Sequence, residues 1–140
     1  MPKPLRHPLA PLCLAAALAT SGAAQPQPPG DVRILLDPVA GAATIESSLT
    51  GRATADYRFG GRRGQTMSAE VAILSGDGPI FFDVMPPGSD YEAMFVGRTQ
   101  GRAGRMSLAE NGDYTLRLYL WGEAREGGGT VGYRLRVSMD

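Results

Sequence analysis

Four stretches of this chain alternate apolar and polar side chains with a period of two, and that alternation restricts it to β-structure. Val32, Ile34 and Leu36 are interleaved with Arg33, Leu35 and Asp37. Met67, Ala69, Val71 and Ile73 are interleaved with Ser68, Glu70 and Ala72. Tyr114, Leu116, Leu118 and Leu120 alternate with Thr115, Arg117 and Tyr119, and Val131, Tyr133, Leu135, Val137 and Met139 with Gly132, Arg134, Arg136 and Ser138. Successive side chains on a strand point to opposite faces, so each stretch predicts a strand with one buried and one wet face. Shorter runs at Thr44–Leu49, Asp56–Phe59, Ile80–Val84, Tyr91–Val96 and Arg105–Leu108 predict further strands. Turn signals separate them: Gly60-Gly61, Gly76-Asp77-Gly78-Pro79, Pro86-Pro87-Gly88, Asn111-Gly112 and Gly127-Gly128-Gly129. No window of about a dozen residues carries a helical stripe. The expectation is an all-β fold, a single antiparallel β-sandwich, jelly-roll-like, of about eight short strands over residues 31–140. Tyr57, Phe59, Val71, Ile73, Leu116, Leu118 and Leu135 are its expected core.

The N-terminal residues restrict the chemistry. Residues 1–24 read as a secretory signal peptide, with Lys3 and Arg6 ahead of an apolar stretch from Leu9 to Ala19 and Ser21-Gly22-Ala23-Ala24 before Gln25. The apolar stretch falls well short of the ~20 residues that span a bilayer. Cys13 lies inside it, after Ala10-Pro11-Leu12, which disfavours lipidation. Cleavage near Ala24 predicts a periplasmic or secreted chain, with residues 25–30 as a Pro-rich spacer. The cysteine, the histidine (His7) and the lysine all lie within residues 1–24. A chain cleaved there has no thiol, imidazole or amine side chain. It would lack the groups for Ser-His-Asp or Cys-His catalysis, for histidine or cysteine metal sites and for Schiff-base chemistry.

The cleaved chain carries twelve arginines against fourteen carboxylates, a net charge of −2. That is no basic field for nucleic acid. A secreted cysteine-free domain has no disulfide, so its core must hold it together.

Weaker candidates have simpler explanations. Asp77, Asp83 and Asp90 match no calcium loop and read as turn-forming aspartates. The pairs Glu123/Glu126 and Asp90/Glu92 would suit a glycosidase only if two carboxylates converged. Arg58, Arg62 and Arg63 beside Tyr57 and Phe59 read as a wet strand face. No cofactor or metal is expected. Gly112-Asp113-Tyr114 opens a strand from a tight turn, where a tyrosine can tie its hydroxyl to the adjoining loop as a tyrosine corner.

The order of these segments carries a resemblance. Asp56-Tyr57-x-Phe59, the Gly64-Gln65 turn, Pro87-Gly88-Ser89-Asp90, Gly112-Asp113-Tyr114 and the closing Tyr133-x-Leu135-x-Val137 strand resemble the small bacterial periplasmic inhibitors of g-type lysozyme. They also resemble the related pre-peptidase C-terminal β-sandwich modules. The resemblance covers roughly Ala43 to Met139 and implies a non-enzymatic, protein-binding domain with g-type lysozyme as partner.

In that family contact residues lie on two loops, one before the Tyr-x-Phe strand and one before the last strand, the second with two arginines. Here the second loop reads Leu120-Trp121-Gly122-Glu123-Ala124-Arg125-Glu126. Arg125 matches the second arginine, and Trp121 or Gly122 stands where the first would be. Arg52 follows Gly51 in the first loop, where the family can present an aromatic residue. The resemblance thus implies Arg52, Trp121, Glu123 and Arg125 as partner-binding residues. A guanidinium could take an acidic catalytic group with two parallel hydrogen bonds, and Trp121 could fill a sugar subsite. The alternative is a non-enzymatic envelope accessory or carbohydrate-binding module of the same fold. A small hydrolase is disfavoured by the missing histidine.

Overall fold

A computed structural model describes residues 31–37 and 39–140; the expected signal peptide and Pro-rich spacer lie outside the described residues. The alternating stretches and the shorter runs become strands β1 (Asp31–Arg33), β2 (Ala42–Thr50), β3 (Thr54–Gly61), β4 (Thr66–Ser75) and β5 (Ile80–Met85). The short β6 (Phe95–Val96) runs into a helical turn, α1 (Gly97–Gln100), before β7 (Ala103–Ser107). Strand β8 (Gly112–Leu120), a second helical turn α2 (Gly122–Glu126) and β9 (Thr130–Met139) complete the fold. The strands form two sheets, ordered β1-β3-β8-β5-β6 and β2-β9-β4-β7. This is the all-β sandwich that the period of two predicts. All pairings are antiparallel except that of β1 with β3, which is parallel.

Three of the four alternating runs form strands inside the sheets, β8 between β3 and β5, β9 between β2 and β4, and β4 between β9 and β7. The inward residues of β8 and β9, Tyr114, Leu116, Leu118, Leu120, Val131, Tyr133, Leu135 and Val137, are all buried. Inward residues of β3, β4 and β5 close over them, with Phe59 stacked on Tyr114 (centroids 5.8 Å apart) and Phe82 on Phe95 (4.9 Å). Of the expected core, Tyr57, Phe59, Val71, Leu116, Leu118 and Leu135 are buried. Ile73 is half-buried, because the pairing of β4 with β9 slips between Ile73 and Ser75. The tyrosine corner forms: the Tyr114 hydroxyl donates to the Glu110 carbonyl (2.9 Å) and accepts from the Glu110 N–H (3.2 Å).

Several local expectations are corrected. The Val32–Leu36 run is a strand only to Arg33, although the Ile34 N–H still donates to the Arg58 carbonyl at 2.7 Å. The Asp37 carboxylate then captures the N–H groups of Val39 and Ala40, which turns the chain towards β2. Within Tyr91–Val96 only Phe95 and Val96 pair. The preceding residues are held in a turn by the Ser89 hydroxyl, which bonds both the N–H and the carbonyl of Glu92. Tyr119, on the wet side of the β8 alternation, is buried against Phe81 and donates to Asp83 Oδ1 at 2.8 Å. Asp83 itself lies in β5 and not in a turn.

Candidate functional site

Four links cross between the sheets at one end of the sandwich: β2–β3, β4–β5, β6–β7 and β8–β9. The register requires it, because Thr50 lies opposite Thr130, Thr54 opposite Tyr119, Ser75 opposite Gly132 and Ile80 opposite Leu120. Backbone hydrogen bonds lock three of these links together. The Gly51 N–H donates to the Gly129 carbonyl (2.8 Å), and the Trp121 N–H to the Pro79 carbonyl (3.0 Å). The Thr50 and Thr130 hydroxyls meet at 2.8 Å. Ala124, buried in α2, packs directly under Gly78, where any added Cβ would come within 2.3 Å of the Ala124 Cβ. No side chain fits there, and the β4–β5 link can close on α2 only because residue 78 is glycine.

This end carries the four residues singled out from the sequence. Arg125 and Glu123 sit on α2 and not on an irregular loop; the turn is made by the Gly127 N–H donating to the Glu123 carbonyl at 2.7 Å. Trp121 precedes α2 with its side chain 42% exposed. The Arg125 guanidinium lies 5.8 Å from the centre of the Trp121 ring, within cation–π range. Arg52 reaches from the β2–β3 turn to an ion pair with Glu126, whose other oxygen is 3.5 Å from Arg125 Nε. Arg52, Trp121 and Arg125 therefore form one surface, with Glu126 shared between the two arginines. Glu123 stands exposed in the first turn of the same helix.

A fifth residue joins them that sequence reasoning did not find. Arg98, on α1, places its guanidinium 4.0 Å from the centre of the Trp121 ring, closer than Arg125. Nothing in the local sequence signals this, because Arg98 is 23 positions from Trp121 and α1 has no periodic pattern. Its placement depends on Asp83, whose Oδ1 accepts from both the Tyr119 hydroxyl (2.8 Å) and the Gly97 N–H (3.0 Å). The Tyr119 hydroxyl is pushed up to about 12, first by burial and then by its bond to Asp83, with the nearby Arg98 charge opposing.

Among the described residues, no three His, Cys, Asp or Glu side chains are grouped to hold a metal ion. Of the carboxylate pairs considered for glycosidase chemistry, Glu126 is engaged by Arg52 and Arg125. The arrangement offers an amphipathic ridge of guanidinium groups around one indole. Such a ridge can bind a carboxylate and an apolar or sugar face side by side.

By sequence, neither a family model nor a curated relative matches the chain. Solved structures do. The fold is similar to that of Aeromonas hydrophila PliG, a periplasmic lysozyme inhibitor of g-type lysozyme, with a TM-score of 0.70 and 25% identity. That likeness covers 79% of this chain and 96% of the other. Salmonella Typhimurium PliG, a protein of the same description, gives a TM-score of 0.61 at 16% identity, covering 79% of this chain and 97% of its own. The pre-peptidase C-terminal domain of collagenase from Bacillus anthracis gives 0.56 at 22%, covering 83% and 100%. These are the two groups that the sequence resembles.

Proposed function

We propose that this chain is an exported, non-enzymatic inhibitor of g-type lysozyme whose α2 ridge enters the enzyme's substrate cleft. The observation that supports it is a coincidence. A sandwich similar to the PliG inhibitors over most of its length carries, at one end, arginines clustered on an exposed tryptophan.

The chemistry is complementary. A lysozyme cleft holds an acidic catalytic group between sugar subsites. Arg125 would meet that carboxylate with two parallel hydrogen bonds, and Trp121 would occupy the apolar face of a neighbouring subsite. Arg52 and Glu123 would contact the rim. Tryptophan and arginine at the centre of an interface are the residue types that most often dominate binding. The compartment follows from residues 1–24, with a mature N-terminus near Gln25 in the periplasm.

The test is inhibition of goose-, chicken- and invertebrate-type lysozymes by the purified mature chain. Preferential inhibition of the goose type is expected. No inhibition of any of the three at micromolar protein would overturn the reading in favour of an envelope accessory or carbohydrate-binding module.

A further inference from the structure

Three guanidinium groups stand on the ridge, and they differ in what holds them. Arg52 is paired with Glu126, and Arg125 has the same carboxylate 3.5 Å away. Arg98 has no carboxylate within 4.0 Å among the described residues; its neighbours are the Trp121 ring and the Tyr119 hydroxyl. Arg102, in the same β6–β7 link, likewise makes no ion pair among the described residues, but it is Arg98 that lies over the Trp121 ring, and the carboxylate beneath it, Asp83, is already taken by the Tyr119 hydroxyl and the Gly97 N–H. Arg98 also lies within about one Debye length (~10 Å at 0.1 M salt) of the Arg125 guanidinium, since both sit over the same ring. Two like charges gathered on one indole repel each other, and an incoming anion relieves that repulsion.

The support beneath Arg98 is rigid. Gly97 packs so closely on β5 that a Cβ there would lie 2.4 Å from the Phe82 carbonyl oxygen, and residue 97 itself is buried. The Asp83 carboxylate, pinned by the buried Tyr119, takes the Gly97 N–H. The Gln100 side chain accepts the Val96 N–H (2.8 Å), and the Thr99 hydroxyl donates to the Val96 carbonyl (3.1 Å), closing the turn on both sides. A four-residue turn this heavily braced presents one exposed cation in a fixed place. Preorganisation of that kind lowers the ordering cost of binding.

We propose that Arg98 is a direct contact residue of this site, receiving a carboxylate of the partner beside Trp121, and that Asp83 and Tyr119 are the positioning residues that hold it there. The proposal rests on the inhibitor reading above. It adds an element, α1, which neither the loop before β3 nor the loop before β9 contains.

The experiment titrates goose-type lysozyme with the mature wild-type chain and with Arg98→Ala, Arg98→Lys, Asp83→Ala and Arg125→Ala. Each variant's thermal midpoint is measured alongside. Arg98→Ala should weaken inhibition at least tenfold with an unchanged midpoint. Arg98→Lys should recover only part, because an ammonium cannot make the bidentate pair. Asp83→Ala should weaken inhibition less than Arg98→Ala, and a double variant carrying both Asp83→Ala and Arg98→Ala should be no worse than Arg98→Ala alone, since Asp83 acts through Arg98. Trp121 is the sole tryptophan, so its emission in the free protein should shift on Arg98→Ala and on Asp83→Ala. If Arg98→Ala inhibits as well as wild type while Arg125→Ala does not, Arg98 is only a packing residue and the proposal fails while the inhibitor reading stands. If the wild-type chain does not inhibit, both fall together.

Discussion

The hydroxyls of Tyr57 on β3 and Tyr133 on β9 meet in the interior of the sandwich, 2.5 Å apart, and join one sheet to the other. Both rings are buried. Each hydroxyl has lost water and found the other, which is what makes two tyrosines tolerable at positions that alternation assigns to the core. Replacing Tyr57 by Phe removes that partner and should cost ~1–2 kcal/mol in denaturant unfolding. The double Phe variant should cost less than the sum of the singles, because neither hydroxyl is then left alone. Strict additivity would show that the contact carries no coupling.

The same burial gives the fold an alkaline limit. Burial is the main cause holding the Tyr57 and Tyr133 hydroxyls above the ordinary phenol range, and Tyr119 is pushed up to about 12. In the unfolded chain all three return to ~10. Above pH ~10 the unfolded state therefore sheds protons that the folded state keeps, so stability is full below pH 10 and falls as pH rises. The slope is about 1.4 kcal/mol per pH unit for each tyrosine. Thermal melts between about pH 9 and 11.5 should show this decline, and Tyr57→Phe should make it shallower. A midpoint that stays level across the range would contradict the assignment.

Leu116 is fully buried in β8, between the pairs it makes with Tyr57 and Val84. Leu116→Ala should destabilise the domain by ~2–5 kcal/mol in urea unfolding. Arg117, its neighbour on the other face, makes a two-pronged ion pair with Asp56 at 2.7 and 2.8 Å across the surface of the sheet. Arg117→Ala should cost only about 1 kcal/mol. A reversal of this order would mean that the two faces of β8 are interchanged.

The tyrosine corner is separable from the core. Tyr114→Phe keeps the ring stacked on Phe59 but leaves the Glu110 N–H and carbonyl without their shared partner. A loss of ~1–2 kcal/mol is expected, together with faster amide exchange at Glu110.

On the ridge, Arg125→Ala should weaken lysozyme inhibition by ~2 kcal/mol or more, roughly thirtyfold, with little change in thermal midpoint. Glu126→Gln should act in the opposite direction. Glu126 is the carboxylate that occupies Arg52 and approaches Arg125. Neutralising it frees both for an acidic partner and removes a like charge from the interface, so inhibition should strengthen by ~0.5–1 kcal/mol, most clearly at low salt. Weaker inhibition by Glu126→Gln would show that the Arg52 pair is part of the bound geometry.

Much of the scaffold is written locally, and the period of two carries it. Each inward residue of β8 and β9 is identifiable from its immediate neighbours, because a strand's two faces are set by the backbone itself and burial merely selects one of them. The tyrosine corner is equally local: Tyr114 and Glu110 are four residues apart, next to an Asn-Gly turn. The absence of lysine, histidine and cysteine after residue 24 is likewise a property of composition, and no fold can supply those groups. What depends on the two sheets being brought face to face has no such signal. Asp83 falls in the predicted Ile80–Val84 strand, yet that its carboxylate joins the Tyr119 hydroxyl to the Gly97 N–H is decided only when the strands pair. Tyr119 reads as wet until Phe81 covers it. Arg52 with Glu126, and Arg98 with Trp121, come together because four crossovers fall at one end of the sandwich. That end is set by the register of long-range pairings, which cannot be read from a side chain's immediate neighbours in sequence.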